Sequence, residues 1–156
     1  MKRQELMVAA IENGTVIDHI PTNKLFQVVS LLRLEQLRTA VMVGYNLPSA
    51  KMGLKSIIKV DGKYFSDAEL NTLSVVAPNV TLCIIKDYEV VEKKCVTLPS
   101  TITGIVKCNN PKCITNNEPM ATRFVLTDPE AGTLQCQYCK KEQPLENVKL
   151  SATIQL

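Results

Sequence analysis

Four of the six cysteines in this 156-residue chain fall into two tight pairs. The stretch KCNNPKC holds Cys108 and Cys113, and CQYC holds Cys136 and Cys139. The pattern is C-x4-C, an insert of 22 residues, then C-x2-C. A structural zinc wants four soft ligands at the corners of a tetrahedron. Close spacing lets one turn present two sulfurs, and the insert lets two such turns face each other. Four thiolates leave no open position for water, so the zinc expected here is structural, one per chain. The competing reading is four free or disulfide-linked cysteines, which a reducing compartment disfavours. Energetics agree with metal. A domain of about 55 residues in short strands buries little apolar surface and needs a staple. Zinc supplies roughly 10–16 kcal/mol of apparent folding free energy in small fingers. Cys83 lies in an apolar run and reads as a small core hydrophobe, while Cys95 reads as inert.

Other chemistry is sparse. The single histidine, His19, follows Asp18. Adjacent residues on an extended strand point to opposite sides, so the pair reads as a polar rim rather than a catalytic dyad. No G-x-S-x-G nucleophile elbow, P-loop or G-x-G-x-x-G is present. Lys59, Lys93 and Lys94 fall at or near strand ends, where each alone reads as a solvated surface residue. These residues suit a binding or assembly protein rather than an enzyme.

Composition narrows the class. Hydrophobic residues make up 46%, enough for a packed core. Residues 1–100 carry 12 Lys/Arg against 10 Asp/Glu, and residues 101–156 carry 6 against 5. A nucleic-acid binder concentrates positive charge and interleaves aromatics. Here neither half is strongly basic and aromatics are 4%. A zinc-ribbon nucleic-acid binder therefore stands only as the alternative, and no nucleic-acid partner is expected. The apolar run LMVAAI is too short for a signal-peptide core, and no run of 18 apolar residues exists. No membrane association is expected, and the protein is placed in the cytoplasm.

The elements that must position these groups follow from local pattern. Residues 5–11 read as a strand ended by Asn13-Gly14, and 15–20 as an extended piece ended by Pro21. Leu25, Val28, Val29 and Leu32 recur at helical spacing and predict a helix over about 23–35. Residues 40–47 read as a strand and PSAKMGLK as a loop. SIIKV-DG-KYF predicts a hairpin with a type I′ turn at Asp61-Gly62. Ser66 and Glu69 have capping-box spacing ahead of a second helix stopped by Pro78. Residues 80–91 read as one further strand. The order is the split βαβ pattern: an α+β, ferredoxin-like βαββαβ domain, with a four-stranded antiparallel sheet and both helices on one face. Strands this apolar imply that the other face meets a ligand or a subunit. Thr97-Leu98-Pro99-Ser100 reads as a boundary, giving domains 1–98 and 99–156. The second is expected to be small and mostly β, with short strands in ITGIVKC, TRFVLTD, GTLQCQYC and VKLSATIQL.

Several stretches carry a resemblance. GTVIDHIP (14–21), NLPS (46–49), YEVVEK (88–93), TLP before the boundary and the four-cysteine spacing together resemble the regulatory chain of aspartate carbamoyltransferase, over nearly the whole sequence. The resemblance implies a non-catalytic subunit. Its dimers join catalytic trimers into the holoenzyme of the first committed step to pyrimidines. Its first domain is an allosteric one that binds nucleotides: CTP, aided by UTP, inhibits and ATP activates. Its zinc domain docks on the catalytic chain. Carried onto this sequence, it implies nucleotide contacts from Ala10, Ile11, Val16, Asp18, His19, Lys59, Ile85, Tyr88, Val90 and Lys93. Lys59 and Lys93 pair with ligand oxygens, Asp18 accepts from ribose, His19 approaches phosphates, and backbone near Ile11 and Tyr88 reads the base. Asn110 and Lys141 are implied contacts with the catalytic chain. Two positions depart from the family's best-known member: Cys83 stands where it has an asparagine near the base, and Lys140 where it has an acid after the last cysteine.

Overall fold

The computed structural model describes residues 10–146 and 148–151. The chain divides between Thr97 and Leu98 into two compact units. In the first, the elements run β1 (Gly14–Ile20), α1 (Leu25–Leu31), β2 (Val41–Ser49), β3 (Gly53–Asp61), α2 (Asp67–Asn71), β4 (Thr81–Lys86) and β5 (Glu89–Cys95). The strands form one antiparallel sheet in the order β2-β3-β1-β4-β5. The class is the expected α+β, and the inner order β2-β3-β1-β4 is that of the split βαβ arrangement. Among the described residues the sheet has five strands rather than four, because the single strand expected over 80–91 turns back on itself at Asp87-Tyr88. Of the strand expected over 5–11, residues 5–9 lie outside the described residues, and Ala10 and Ile11 belong to no strand.

The hairpin at Asp61-Gly62 does not form. β3 pairs with β2 on one side and β1 on the other, and Lys63–Phe65 leaves the sheet. Gly62 N–H is taken by Asn13 O at 2.8 Å, Lys63 O accepts from the Thr15 hydroxyl at 2.7 Å, and Phe65 is buried. The segment read as the loop PSAKMGLK is instead the β2–β3 hairpin, turning at 50–52. A two-residue turn with both central residues left-handed does exist, at Asp87 (φ 52°) and Tyr88 (φ 67°) between the paired Lys86 and Glu89. This is type I′ geometry without glycine. Long-range bonds hold it: Tyr88 N–H donates to Glu12 O at 2.9 Å and Asp87 N–H to Asn13 Oδ1 at 3.3 Å.

Pleating sorts the sheet into two faces. Thr15, Ile17, Ser56, Ile58, Val60 and Leu82 are buried on one. The helical layer covers it: the Thr22 hydroxyl meets Ser56 at 3.1 Å, and Leu25, Val28, Leu70 and Leu73 are buried. Helix α1 is shorter than its apolar stripe predicts because Arg33 turns left-handed (φ 53°) and breaks the ladder, with single 3-10 turns on either side. Helix α2 carries the expected capping box: the Ser66 hydroxyl accepts from Glu69 N–H at 3.1 Å and Ser66 N–H donates to Glu69 Oε1 at 2.9 Å. Gly14, which opens β1, has φ 141°. A Cβ there would fall 2.1 Å from the Val60 carbonyl oxygen, so only glycine lets β1 approach β3.

The second unit is an antiparallel meander of β6 (Thr101–Thr103), β7 (Arg123–Asp128), β8 (Thr133–Cys136) and β9 (Glu142–Pro144). Its core is Ile102, Val106, Phe124, Leu134, Val148 and Leu150. The strand expected from Val148 onward is reduced, among the described residues, to one bridge between Val106 and Leu150.

Candidate functional site

The four cysteines of the second unit converge. Cys108 and Cys113 lie on the loop after Val106, Cys136 ends β8, and Cys139 follows in the tight turn before β9. All four Sγ atoms lie within 4.8 Å of one another. Cys108–Cys139 and Cys113–Cys136 are each 3.7 Å apart. A tetrahedral ion with metal–sulfur bonds of about 2.3 Å requires edges of about 3.8 Å. Donors point at the sulfurs. The Asn110 amide serves Cys108, the Tyr138 and Cys139 amides serve Cys136, and the Lys141 amide serves Cys139. The Thr115 hydroxyl lies 3.1 Å from Cys113 Sγ, and the Asn110 side chain reaches Cys139. Burial pushes the Cys108 thiol up to about 12. At Cys139 burial also raises the thiol, but the Lys141 amide and the Asn110 side chain outweigh it and bring it down to about 6. Four sulfurs this close do not all ionise without a cation between them. Spacing, burial and N–H donors together fit a closed four-thiolate metal centre.

In the first unit, the sheet face away from the helices collects most of the implied nucleotide residues. Met42, Lys59, Val16, Cys83 and Lys93 are successive cross-strand neighbours in one row. Ile11, Val16, Cys83 and Ile85 form an apolar floor, with Met42 and Ile57 packed against it. Asp18 lies two residues along β1 from Val16, on the same face. Its carboxylate pairs with Lys55 Nζ at 2.9 Å and accepts from His19 N–H at 2.6 Å. Burial lowers the Lys59 ammonium from its ordinary value, against the opposing pull of Asp18. Burial raises the Cys83 thiol, which Lys93 opposes and Asp18 reinforces. The face is an apolar strip with cations on both sides of a carboxylate.

The expectation that Asp18 and His19 point apart fails. His19 is not extended (φ 60°), because the β1–β3 register slips between Ile17 and Ile20. Its ring therefore reaches the Thr81 hydroxyl at 3.2 Å, on the strand that pairs with Asp18. Val90 pairs with Ile85 at the exposed end of β5, Tyr88 is exposed at the hairpin tip, and Ala10 is exposed beside Ile11. The Ile85 carbonyl is already taken by the Tyr64 hydroxyl at 2.9 Å. At the metal centre, Asn110 is half-buried and its Oδ1 accepts from Lys112 N–H at 3.1 Å, whereas the Lys141 side chain is exposed. Lys94 stays apart from the row, in a surface pair with Asp67 at 2.9 Å.

Sequence reasoning missed Lys55, Thr81 and Tyr64 around the sheet face, and Thr115, Asn116 and Gln143 around the thiols. Lys55 was within reach, since it stands four residues from Lys59 on one strand and so shares its face. The amide side chains had no local signal.

The chain thus pairs an α+β sheet unit with a unit built around a four-cysteine cluster. A family model described as the allosteric domain of the aspartate carbamoyltransferase regulatory chain matches residues 6–97, and one described as that chain's metal-binding domain matches residues 100–149. The chain belongs to the aspartate carbamoyltransferase regulatory chain family. A regulatory chain of Phocaeicola vulgatus is 59% identical over 148 residues, covering 95% of this chain and 96% of that one. One from Parabacteroides distasonis is 54% identical over 147 residues, covering 94% and 96%. One from Pyrococcus abyssi is 45% identical over 146 residues, covering 92% and 96%.

Proposed function

We propose that this chain senses nucleotides for aspartate carbamoyltransferase and links its catalytic trimers, serving pyrimidine synthesis in the cytoplasm. CTP, aided by UTP, inhibits through it, and ATP activates. The observation that carries this reading is the cross-strand row Lys59–Val16–Cys83–Lys93 with Asp18 beside it. Two ammonium groups flanking an apolar strip suit a phosphorylated ligand whose base lies on the strip, with Asp18 accepting from ribose hydroxyls. Ala10, Ile11, His19, Ile85, Tyr88 and Val90 complete the surround. Binding biases the quaternary equilibrium only through a difference in affinity between its states. That difference must pass through the chain from Lys93 to Thr103 into the second domain.

The metal is zinc, held by Cys108, Cys113, Cys136 and Cys139. Its role is to hold the docking surface, and it supplies structural charge compensation, not chemistry. That surface centres on the turns that bear the ligands, where Ile114 and Tyr138 are 52% and 47% exposed beside Lys112, Lys140 and Lys141. Apolar tips ringed by lysines suit an acidic-rimmed pocket on the catalytic chain. Self-association into the regulatory dimer uses strand β2, whose outer edge has no partner strand among the described residues and carries exposed Val43 and Tyr45.

Calorimetric titration of the zinc-loaded chain with CTP, then ATP in competition, tests the effector reading. Saturable, mutually exclusive binding is expected. Absence of binding to either nucleotide overturns it.

A further inference from the structure

The first metal-bearing loop is held by side-chain amides rather than by a sheet. Asn116 Nδ2 donates to Cys108 O at 3.0 Å and to Asn110 O at 2.7 Å. Asn117 Nδ2 donates to Cys113 O at 2.9 Å and Pro111 O at 3.2 Å. From the other side comes Gln143, on β9. It is only 6% exposed, an unusual position for a polar side chain. Its Oε1 accepts from Asn109 N–H at 2.9 Å, and its Nε2 donates to Lys107 O at 3.3 Å. Those two backbone groups flank Cys108.

We infer that Gln143 is a positioning residue for the metal centre, resting on the four-thiolate reading above. A carboxamide offers an acceptor and a donor from the same planar end, without a charge. It therefore stands in for a neighbouring strand and fixes the backbone on both sides of Cys108. Gln143 follows the second cysteine pair by four residues, and β9 pairs with β8, the strand that ends in Cys136. Gln143 thus ties the loop of the first pair to the strand that carries the second. Its Oε1 and Nε2 are both spent on this clamp, and its burial shields both bonds from water. The clamp's function is to resist the first step of metal loss, the swing of Cys108 away from the ion. Residues that orient metal ligands typically change affinity by about 10–100-fold when removed.

The test uses the full-length chain purified without chelator, with zinc content measured first. Gln143→Met keeps length and removes both bonds. Leu134→Val thins the core at the cross-strand neighbour of Gln143 and keeps the Gln143 carboxamide itself. Metal release to a chromophoric chelator is followed for both variants and the parent. Release from Q143M roughly tenfold or more faster than from an L134V of equal thermal stability is the expected result. Equal release from the two variants overturns the inference, because the effect is then general destabilisation. If Q143M does not fold, hydrogen exchange on the parent decides: Asn109 N–H, on an exposed residue, must be protected, and free exchange there overturns the clamp. Zinc well below one per chain would sink the metal reading, while Asn109 protection would still judge the clamp.

Discussion

Lys93 is the side chain at which the effector reading is most exposed to test. Loss of a charge-assisted contact costs roughly 1.5–3 kcal/mol. Lys93→Ala is therefore expected to weaken CTP binding by roughly 10- to 100-fold in calorimetry and leave sedimentation of the assembled complex unchanged. Normal affinity in that variant removes Lys93 from the site. Tyr88 gives a second prediction. A left-handed conformation costs a residue with a side chain about 1–2 kcal/mol, part of which glycine returns through its freer unfolded chain. Tyr88→Gly is expected to stabilise the chain by about 1 kcal/mol in urea denaturation. A stability loss instead would show that the exposed ring carries packing of its own. At this scale the thiols were legible because metal chemistry dictates their spacing. The lysines were not, because a cation on a strand looks the same whether it meets solvent or a ligand. Resemblance, rather than pattern, singled out Lys59 and Lys93.

Local rules were most reliable for elements that are held together locally. The capping box at Ser66 and Glu69 is one, since both of its bonds span three residues. Ser66→Ala is expected to cost about 1 kcal/mol, seen as a lower denaturation midpoint at unchanged slope. The hairpins failed for the opposite reason. Asp61-Gly62 has the better turn sequence, yet Gly62 and Lys63 are drawn away by Asn13 and Thr15. Asp87-Tyr88 has the poorer one and turns because Glu12 and Asn13 hold it. Contacts across some 74 residues of sequence separation leave no trace in a local window. The same applies to the bulge at His19, which undid the alternation argument for its side chain. Gly14 joins the local and the distant. Gly14→Ala would force a Cβ into the Val60 carbonyl. Loss of the β1–β3 register is expected, seen as collapse of the cooperative unfolding transition.

For the whole molecule, the order of elements and the change of texture after Thr97 marked the α+β unit and the small β unit. Among the described residues, ten large apolar side chains are between 43% and 69% exposed, Phe26 and Tyr45 among them, and could be recognised as surface only once the fold was assembled. Metal removal separates the two units energetically. Treatment with a thiol reagent and chelator is expected to abolish amide protection in residues 98–151 and preserve it in the sheet of residues 14–95. The same treatment of the holoenzyme is expected to free catalytic trimers that no longer respond to nucleotides. A holoenzyme that stays whole after measured zinc loss refutes the docking role. The distance along the chain between ligands also fixes a timetable. Domains fold in order as they leave the ribosome, at about 5–20 residues per second. The sheet's last strand ends at Cys95, ahead of every ligand. Cys139 follows Cys108 by 31 residues, a wait of roughly 2–6 s at that pace. During it the nascent chain offers a finished sheet and two unmatched thiols, so an ion held by all four sulfurs is captured only after the sheet has formed. On the proposed reading, a cell short of zinc would accumulate chains with a completed sheet unit and no means of joining the catalytic chain.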